Sequence, residues 1–415
     1  MGTSYDPRRS DYVDEMAVRH ESARVFDVCM SCQKCLNACS VFPLLVSSVD
    51  ECVEREAALL TPSQQDEIVN LCHQCTQCVA QCPYADAPAG EAVNFPALVI
   101  RHRAMLRKNK FLTLREQVKE DVVALSATHA SWGRPFQVFG ARLLRSVTVH
   151  VPTLFAQRHS VRQKNASHNV PTTTCEVSYF PTCVVDAYAP EVANATQKVF
   201  AQVGAQCVRG KEHNCCGAPD LYNGNIKRFR RIVRKNVRAF RAALDKGQRI
   251  VVGQPGCLHV MREHYAVFSD DPVAADVVAH LQDPWEFLAT IETPENTESF
   301  HPTTADRSLV LLQSSMATQL GETDHARGLL EKWGWDVHAV SHISVAETVW
   351  ELRRDHIDQL TGSTRELADL VAAAGDAAMV GHSCLTNRLL AEQIQRPVRH
   401  PIEVLAENGR RHNPK

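Results

Sequence analysis

No run of about 18 consecutive apolar residues occurs in the chain, so a transmembrane helix is not expected. The opening, MGTSYDPRRSDYVDE, lacks the apolar core of a secretory signal, and a cytoplasmic protein is the expectation. There is no surplus of positive charge: 45 Lys and Arg stand against 47 Asp and Glu, which argues against general nucleic-acid binding. No glycine-rich nucleotide loop, acid–base dyad or nucleophile motif is visible, so the chain alone is not expected to oxidise a substrate. What remains is ordinary globular bulk, 44% hydrophobic and 22% charged, in 415 residues that suffice for two to four domains.

Against this background stand 16 cysteines, nine of them between Cys29 and Cys82. A long chain without an export signal is a poor candidate for a disulfide scaffold, and metal ligation is the better reading. Cys29, Cys32, Cys35 and Cys39 form C-x2-C-x2-C-x3-C, and Cys72, Cys75, Cys78 and Cys82 repeat it with Pro83 behind. This is the spacing of a two-cluster ferredoxin. Three thiolates two residues apart can turn inward around one cubane, while the fourth opens the next helix and faces the neighbouring cluster. Cys29, Cys32, Cys35 and Cys82 are thus expected to hold one [4Fe–4S] cluster, and Cys72, Cys75, Cys78 and Cys39 the other. Two zinc sites are the competing reading, but zinc favours two C-x2-C pairs over a triplet plus one. Ser40, not proline, follows Cys39. The 32 residues between Cys39 and Cys72 read as helical, with Thr61-Pro62 as a helix start, so an α-helical ferredoxin domain is predicted. Cys52 fits no motif and is expected to be a buried structural thiol.

Beyond residue 175, apolar runs such as EVSYF, RIVVG, SLVLL and AAMVG alternate with helical patterns. The same succession of elements occurs twice, about 130 residues apart, which suggests two equivalent halves. The predicted fold class is α+β multidomain: an N-terminal α-helical two-cluster ferredoxin domain, then a duplicated α/β cysteine-rich domain. The expected boundaries are a polar lead-in (1–25), the ferredoxin-type domain (26–100), a basic connector (101–170), a first cysteine-rich half (171–295) and a second, degenerate half (296–415). Cys183, Cys215, Cys216 and Cys257 stand near predicted strand ends, where ligands of open α/β sheets gather. Gly217 after the cysteine pair permits close backbone approach to a bulky group.

The segments FPTCVVDAYAPEV, NCCGAPDLYNGN and QPGCLHVMREHY resemble the cysteine-rich domain of heterodisulfide-reductase-type proteins. With the two ferredoxin motifs, the layout is most similar to the iron–sulfur subunit family of anaerobic glycerol-3-phosphate dehydrogenase. The resemblance implies the pattern C…CCG…C-x-x-C, occurring twice. In the first copy Gln254 replaces the leading cysteine of the last pair, which leaves Cys183, Cys215, Cys216 and Cys257. Four thiols can hold a third iron–sulfur cluster; a redox dithiol or relic site is the alternative. Cys207 or Cys175 could supply a fifth ligand. In the second copy Ser315 stands for the first cysteine, His342-Ile343-Ser344 lies near the expected Cys-Cys-Gly, Cys384 survives and Asn387 replaces its partner. His342 and His382 are weaker ligand candidates.

The resemblance implies an iron–sulfur electron-transfer subunit used in anaerobic respiration. It would accept electrons from a flavoprotein dehydrogenase subunit and pass them towards membrane quinone, as a component of an oxidoreductase complex. A heterodisulfide-reductase-like enzyme acting on thiols or disulfides is the second reading. Two basic surfaces could serve docking. One is the acid-free stretch from Val122 to Cys175, with Arg134, Arg142, Arg145, Arg158, Arg162 and Lys164, suited to the inner face of the cell membrane or a partner subunit. The other is the helix NIKRFRRIVRKNVRAFRAAL, whose apolar face is Ile226, Phe229, Val233, Val237, Phe240 and Leu244.

Overall fold

The computed structural model describes residues 5–109, 111 and 175–412, apart from 37–38, 40, 53, 89, 209–214, 292–296, 298–299, 303–306, 343–344, 354–355 and 376. The basic stretch between Val122 and Cys175 lies outside the described residues but for Cys175 itself.

The N-terminal region is helical: α1 (Glu15–Cys32), α2 (Phe42–Asp50), α3 (Pro62–Leu71), α4 (Gln77–Ala80) and α5 (Phe95–Lys108). Each start has a local cause. The Asp14 side chain accepts from the Ala17 N–H at the head of α1. Thr61 and Gln64 form a reciprocal capping box at the head of α3, with Pro62 at its first position. These helices bury Val25, Phe26, Leu45, Val49, Ile68, Val69, Leu98 and Val99 together. Two expected boundaries fall inside helices. α1 begins in the lead-in and runs to Cys32, and α5 continues through residues 101–108, assigned to the connector on sequence. α5 is buried almost all round from Phe95 to Leu106, including Arg101, His102 and Arg103.

Two four-stranded parallel sheets follow. The first comprises β1 (Cys175–Phe180), α6 (Thr182–Tyr188), α7 (Pro190–Gln202), β2 (Ala205–Val208), α8 (Ala218–Tyr222), α9 (Ile226–Leu244), β3 (Arg249–Val252), α10 (Pro255–Phe268), α11 (Val273–Ala279), β4 (Leu281–Gln282) and α12 (Pro284–Ile291). The second comprises β5 (Ser308–Ser314), α13 (Ser315–Gln319), α14 (Glu322–Lys332), β6 (Asp336–His342), α15 (Ile357–Val371), β7 (Ala378–Gly381), α16 (Cys384–Ile394), β8 (Val398–Arg399) and α17 (Pro401–His412). The strand orders are β2-β1-β3-β4 and β6-β5-β7-β8, the same arrangement twice. In register, Tyr179 pairs with Val251 in one sheet and Leu311 with Val380 in the other.

The contacts between the halves are reciprocal. α6, after the first strand, packs on α16, after the third strand of the other half; α13 packs on α10 in the mirrored relation. α7 with α17 and α14 with α12 repeat the exchange. Such reciprocity is the signature of an approximate two-fold axis. A single hydrophobic core spans it, from Val177, Val199 and Phe200 to Leu311, Val380 and Leu405.

Candidate redox site

Cys29 and Cys32 lie on the last turn of α1, which ends where Gln33 takes a left-handed conformation and its N–H donates to the Cys29 carbonyl. The chain then folds back: the Cys39 N–H donates to the Cys35 carbonyl at 2.9 Å, and α2 starts three residues on. The second motif leaves α3 at Cys72. Gln74 and Thr76 adopt φ of 62° and 61°, a left-handed geometry costing non-glycine residues about 1–3 kcal/mol each. Those two bends alternate with the cysteines. They allow Cys72, Cys75 and Cys78 to turn the same way within one short loop. Cys29, Cys35, Cys39, Cys78 and Cys82 line one cleft, closed by Val41, Phe42, Leu45, Val93 and Phe95. Both motifs therefore meet.

The electrostatic neighbours of each thiol sort the eight. Burial pushes Cys29 up to about 12, reinforced by Cys35, Cys82, Cys39 and Cys32. Cys35 rises to about 11 through burial and then Cys39, Cys82 and Cys32. Burial raises Cys82 too, and the one thiol among its leading neighbours is Cys32 of the first motif. In the second motif burial lifts Cys75 to about 12, with Cys39 and Cys72 adding to it. Burial lifts Cys78 well above the usual thiol range, with Cys75, Cys39, Cys72 and Cys35 behind it. Cys82 keeps company with the first motif, and Cys39 with the second as well as the first. Thiols gathered this way repel one another once ionised, and their thiolates are costly unless something binds them. Thiolate sets of four are the donor set of an iron–sulfur cubane, so the residues present fit that group.

The second gathering is at the strand ends. Cys183 sits on α6, just beyond β1, where Thr182 takes φ 77°. Cys215 and Cys216 precede Gly217, whose φ of 93° suits glycine; a Cβ there would fall 2.7 Å from the Phe229 ring. Cys257 lies on the first turn of α10, after β3. All four are buried. The thiol contacts run Cys183 to Cys215 to Cys216 to Cys257; each raises the first thiol of its pair and lowers the second, and with burial added all four stand above the usual thiol range. The Gly217 N–H donates to Cys215 Sγ at 3.3 Å. Asn236, on the inner face of α9, donates to the Cys215 carbonyl at 3.1 Å and to Tyr265 Oη at 2.7 Å, and Tyr265 Oη donates to the Cys216 carbonyl at 2.9 Å. That pair locks the cysteine backbone in place. Among the described residues, no three Cys, His, Asp or Glu side chains close to the spacing of a single bound ion. Cys183 also acts on Cys216 and Cys257, and Cys215 on Cys257, so the four thiols lie within reach of one another and form a four-thiolate donor set.

Residues 177–262 match the family model described as Cysteine-rich domain, CCG. The chain carries a CCG domain. Lactate utilization protein A of Bacillus licheniformis is 26% identical over 156 residues, 37% of this chain and 64% of that protein. The Bacillus subtilis protein named "Probable glycolate oxidase iron-sulfur subunit" is 24% identical over 292 residues, 61% of this chain and 63% of that protein. Lactate utilization protein A of Exiguobacterium is 31% identical over 98 residues, 23% of this chain and 39% of that protein. The chain spans a little under two thirds of the length of the first two. These relatives carry lactate and glycolate in their names, and the finer resemblance to a glycerol-3-phosphate dehydrogenase subunit is not what they support.

Around the CCG domain several expectations change. Cys175 opens β1 and Cys207, the third residue of β2, pairs with Val177; neither is among the leading neighbours of the four thiols beyond the strand ends. Gln254, in the place of a fifth thiol, is fully buried and both its amide atoms lack a hydrogen-bond partner. Cys52 is half-buried, not buried, and donates to the Ser48 carbonyl. In the second half Ser315 opens α13, His342 ends β6, and Ile343 and Ser344 lie outside the described residues. Cys384 is buried at the head of α16. His382 lies 3.3 Å from Glu322. Asn387 donates to the Gly381 and Arg399 carbonyls at 2.6 and 3.2 Å, so the residue standing for a cysteine ties two strand ends together. On α9, Phe229, Val233, Val237 and Phe240 are buried as predicted, joined by Ile232 and Asn236, while Ile226 and Leu244 are half-buried. Sequence reasoning passed over Tyr222 and Arg103. Tyr222 ends α8, five residues after Gly217, and its phenol is driven up by burial, then by Glu351, Cys216, Cys257 and Cys72. Nothing in the spacing of either residue marks it.

Among the described residues, no helix is long and apolar enough to cross a membrane.

Proposed function

We propose that this chain is the iron–sulfur electron-transfer subunit of an oxidoreductase complex, taking electrons from a flavoprotein dehydrogenase and passing them towards membrane quinone. Cys29, Cys32, Cys35 and Cys82 hold one [4Fe–4S] cluster, and Cys72, Cys75, Cys78 and Cys39 the other. Cys183, Cys215, Cys216 and Cys257 hold a third centre. When bound, these groups supply one-electron chemistry; the protein's part is to fix the thiolates, exclude water and set the local charge. The observation that supports the reading most is the meeting of the two motifs, with Cys29, Cys35, Cys39, Cys78 and Cys82 lining one cleft. Lactate and glycolate, named in the relatives, are both small 2-hydroxy acids, and a dehydrogenase of that class is the donor we favour. Helices α1 to α5 form the ferredoxin-type part, and the two sheets with their helices form the duplicated cysteine-rich part.

The third centre is open to direct test. Cys215→Ser in anaerobically purified protein should remove one EPR signal, leave the ferredoxin pair, and lower iron from about twelve to about eight per chain. An unchanged spectrum and iron content would leave the CCG domain without a cluster.

A further inference from the structure

A fully buried arginine needs partners for its charge and all its donors. Arg103, on α5, is 4% exposed. Its Nη2 donates to the carbonyls of Val69, Asn70 and Cys72 at 2.8, 3.2 and 2.7 Å, and its Nη1 to the carbonyl of Tyr222 at 3.2 Å. These are the carbonyl ends of α3 and α8, where a cation is favoured. One fork thus bonds the backbone of a second-motif cysteine and that of the helix opened by Cys-Cys-Gly. The Trp350 ring supports it: the guanidinium lies 5.0 Å from the ring centroid, and Tyr222 meets the same ring edge-on at 6.3 Å. Behind the fork the backbones touch. A Cβ on Gly224, which has φ 71°, would fall 2.4 Å from the Ala104 nitrogen. The thiols of Cys72 on one side and of Cys216 and Cys257 on the other all act on the Tyr222 hydroxyl.

We propose that Arg103 is the positioning residue that couples the Cys39, Cys72, Cys75 and Cys78 set to the CCG thiols, and that its charge favours the reduced state of that set over that of the Cys29 set. The inference rests on the two-cluster reading and gives the relay an order: the second-motif centre, not the first, exchanges electrons with the CCG domain. One electron leaves one centre and enters the other, so one is oxidised and the other reduced. No bond forms or breaks.

The test is an anaerobic redox titration of the full chain followed by EPR, with iron and sulfide measured first. At unchanged iron content, Arg103→Gln is expected to lower the reduced-to-oxidised ratio of one ferredoxin-loop centre about tenfold, about 59 mV for a one-electron couple, and to leave the other in place. Cys75→Ser should abolish the signal that moved, and Arg103→Lys should restore its potential. If Arg103→Gln does not fold, Trp350→Leu removes the ring seat beneath the cation and should move the same signal by less. Unmoved potentials, equal movement of both centres, or movement of the signal that Cys32→Ser abolishes overturns the proposal. Wild-type protein lacking iron and sulfide would instead sink the two-cluster reading itself.

Discussion

Gly217 shows how narrowly the CCG thiols are set. Its backbone is left-handed, and the space a methyl would need is occupied by Phe229. Gly217→Ala should cost about 2–4 kcal/mol, combining the backbone penalty with overpacking. Urea unfolding would measure it; an unchanged midpoint would mean the turn is looser than described. His400 makes a pH prediction. It is buried, its Nδ1 accepts from the Ile402 N–H, and its Nε2 has no partner. Burial, and then His382, hold it well below the ordinary histidine range. The folded value is depressed, so the stability it contributes is present above about pH 6.5 and is lost as pH falls through the folded value. Unfolding midpoints should fall with pH below about 6.5, and less steeply in His400→Gln. Equal slopes would remove His400 from the account. At this scale the candidate ligands were the legible part of the chain, because C-x2-C-x2-C-x3-C admits few chemistries. Arg103 and Tyr222 were not, because their roles depend on which backbone lies opposite, and no local spacing encodes that.

Among the elements, α3 is the one the sequence marked best: Thr61, Pro62 and Gln64 are a start signal that needs no tertiary help. Thr61→Ala should destabilise the chain by about 1 kcal/mol, readable by chemical unfolding. Because α3 ends at Cys72, the cost falls on the helix that presents the second motif. α5 shows the opposite case. Its run Arg101-His102-Arg103 falls in the stretch expected to be a basic connector, yet all three are buried, held by the Asp11 and Tyr12 carbonyls, by Asp66 and Ser22, and by the α3 and α8 carbonyls. Charge in a sequence signals exposure only when no carbonyl-rich helix end awaits it. The two-residue strands β4 and β8 were invisible for a simpler reason: two residues carry no period.

For the whole molecule, the duplication was visible as a repeated order of elements, and the matching strand orders give it physical form. The half that keeps only Cys384 of its motif is not idle. Its core is continuous with that of the first half, and Trp350 and Glu351 from it reach the junction near Tyr222. Erasure of its thiols left packing in place, with Asn387 spanning two strand ends. The proposed exchange of Cys39 and Cys82 belongs to the whole helical region, since it requires residues 43 positions apart in sequence to serve each other's set. Cys82→Ser should perturb the centre that Cys32→Ser perturbs, and Cys39→Ser the one that Cys75→Ser perturbs. EPR of the four variants would show the reverse pairing if each motif served only itself.

All of this depends on inorganic iron and sulfide at the N-terminal thiols. Anaerobic purification followed by determination of iron and acid-labile sulfide per chain measures that directly. At least about eight of each per chain is the expected result. A colourless chain carrying neither after reconstitution, or carrying zinc in their place, would contradict it.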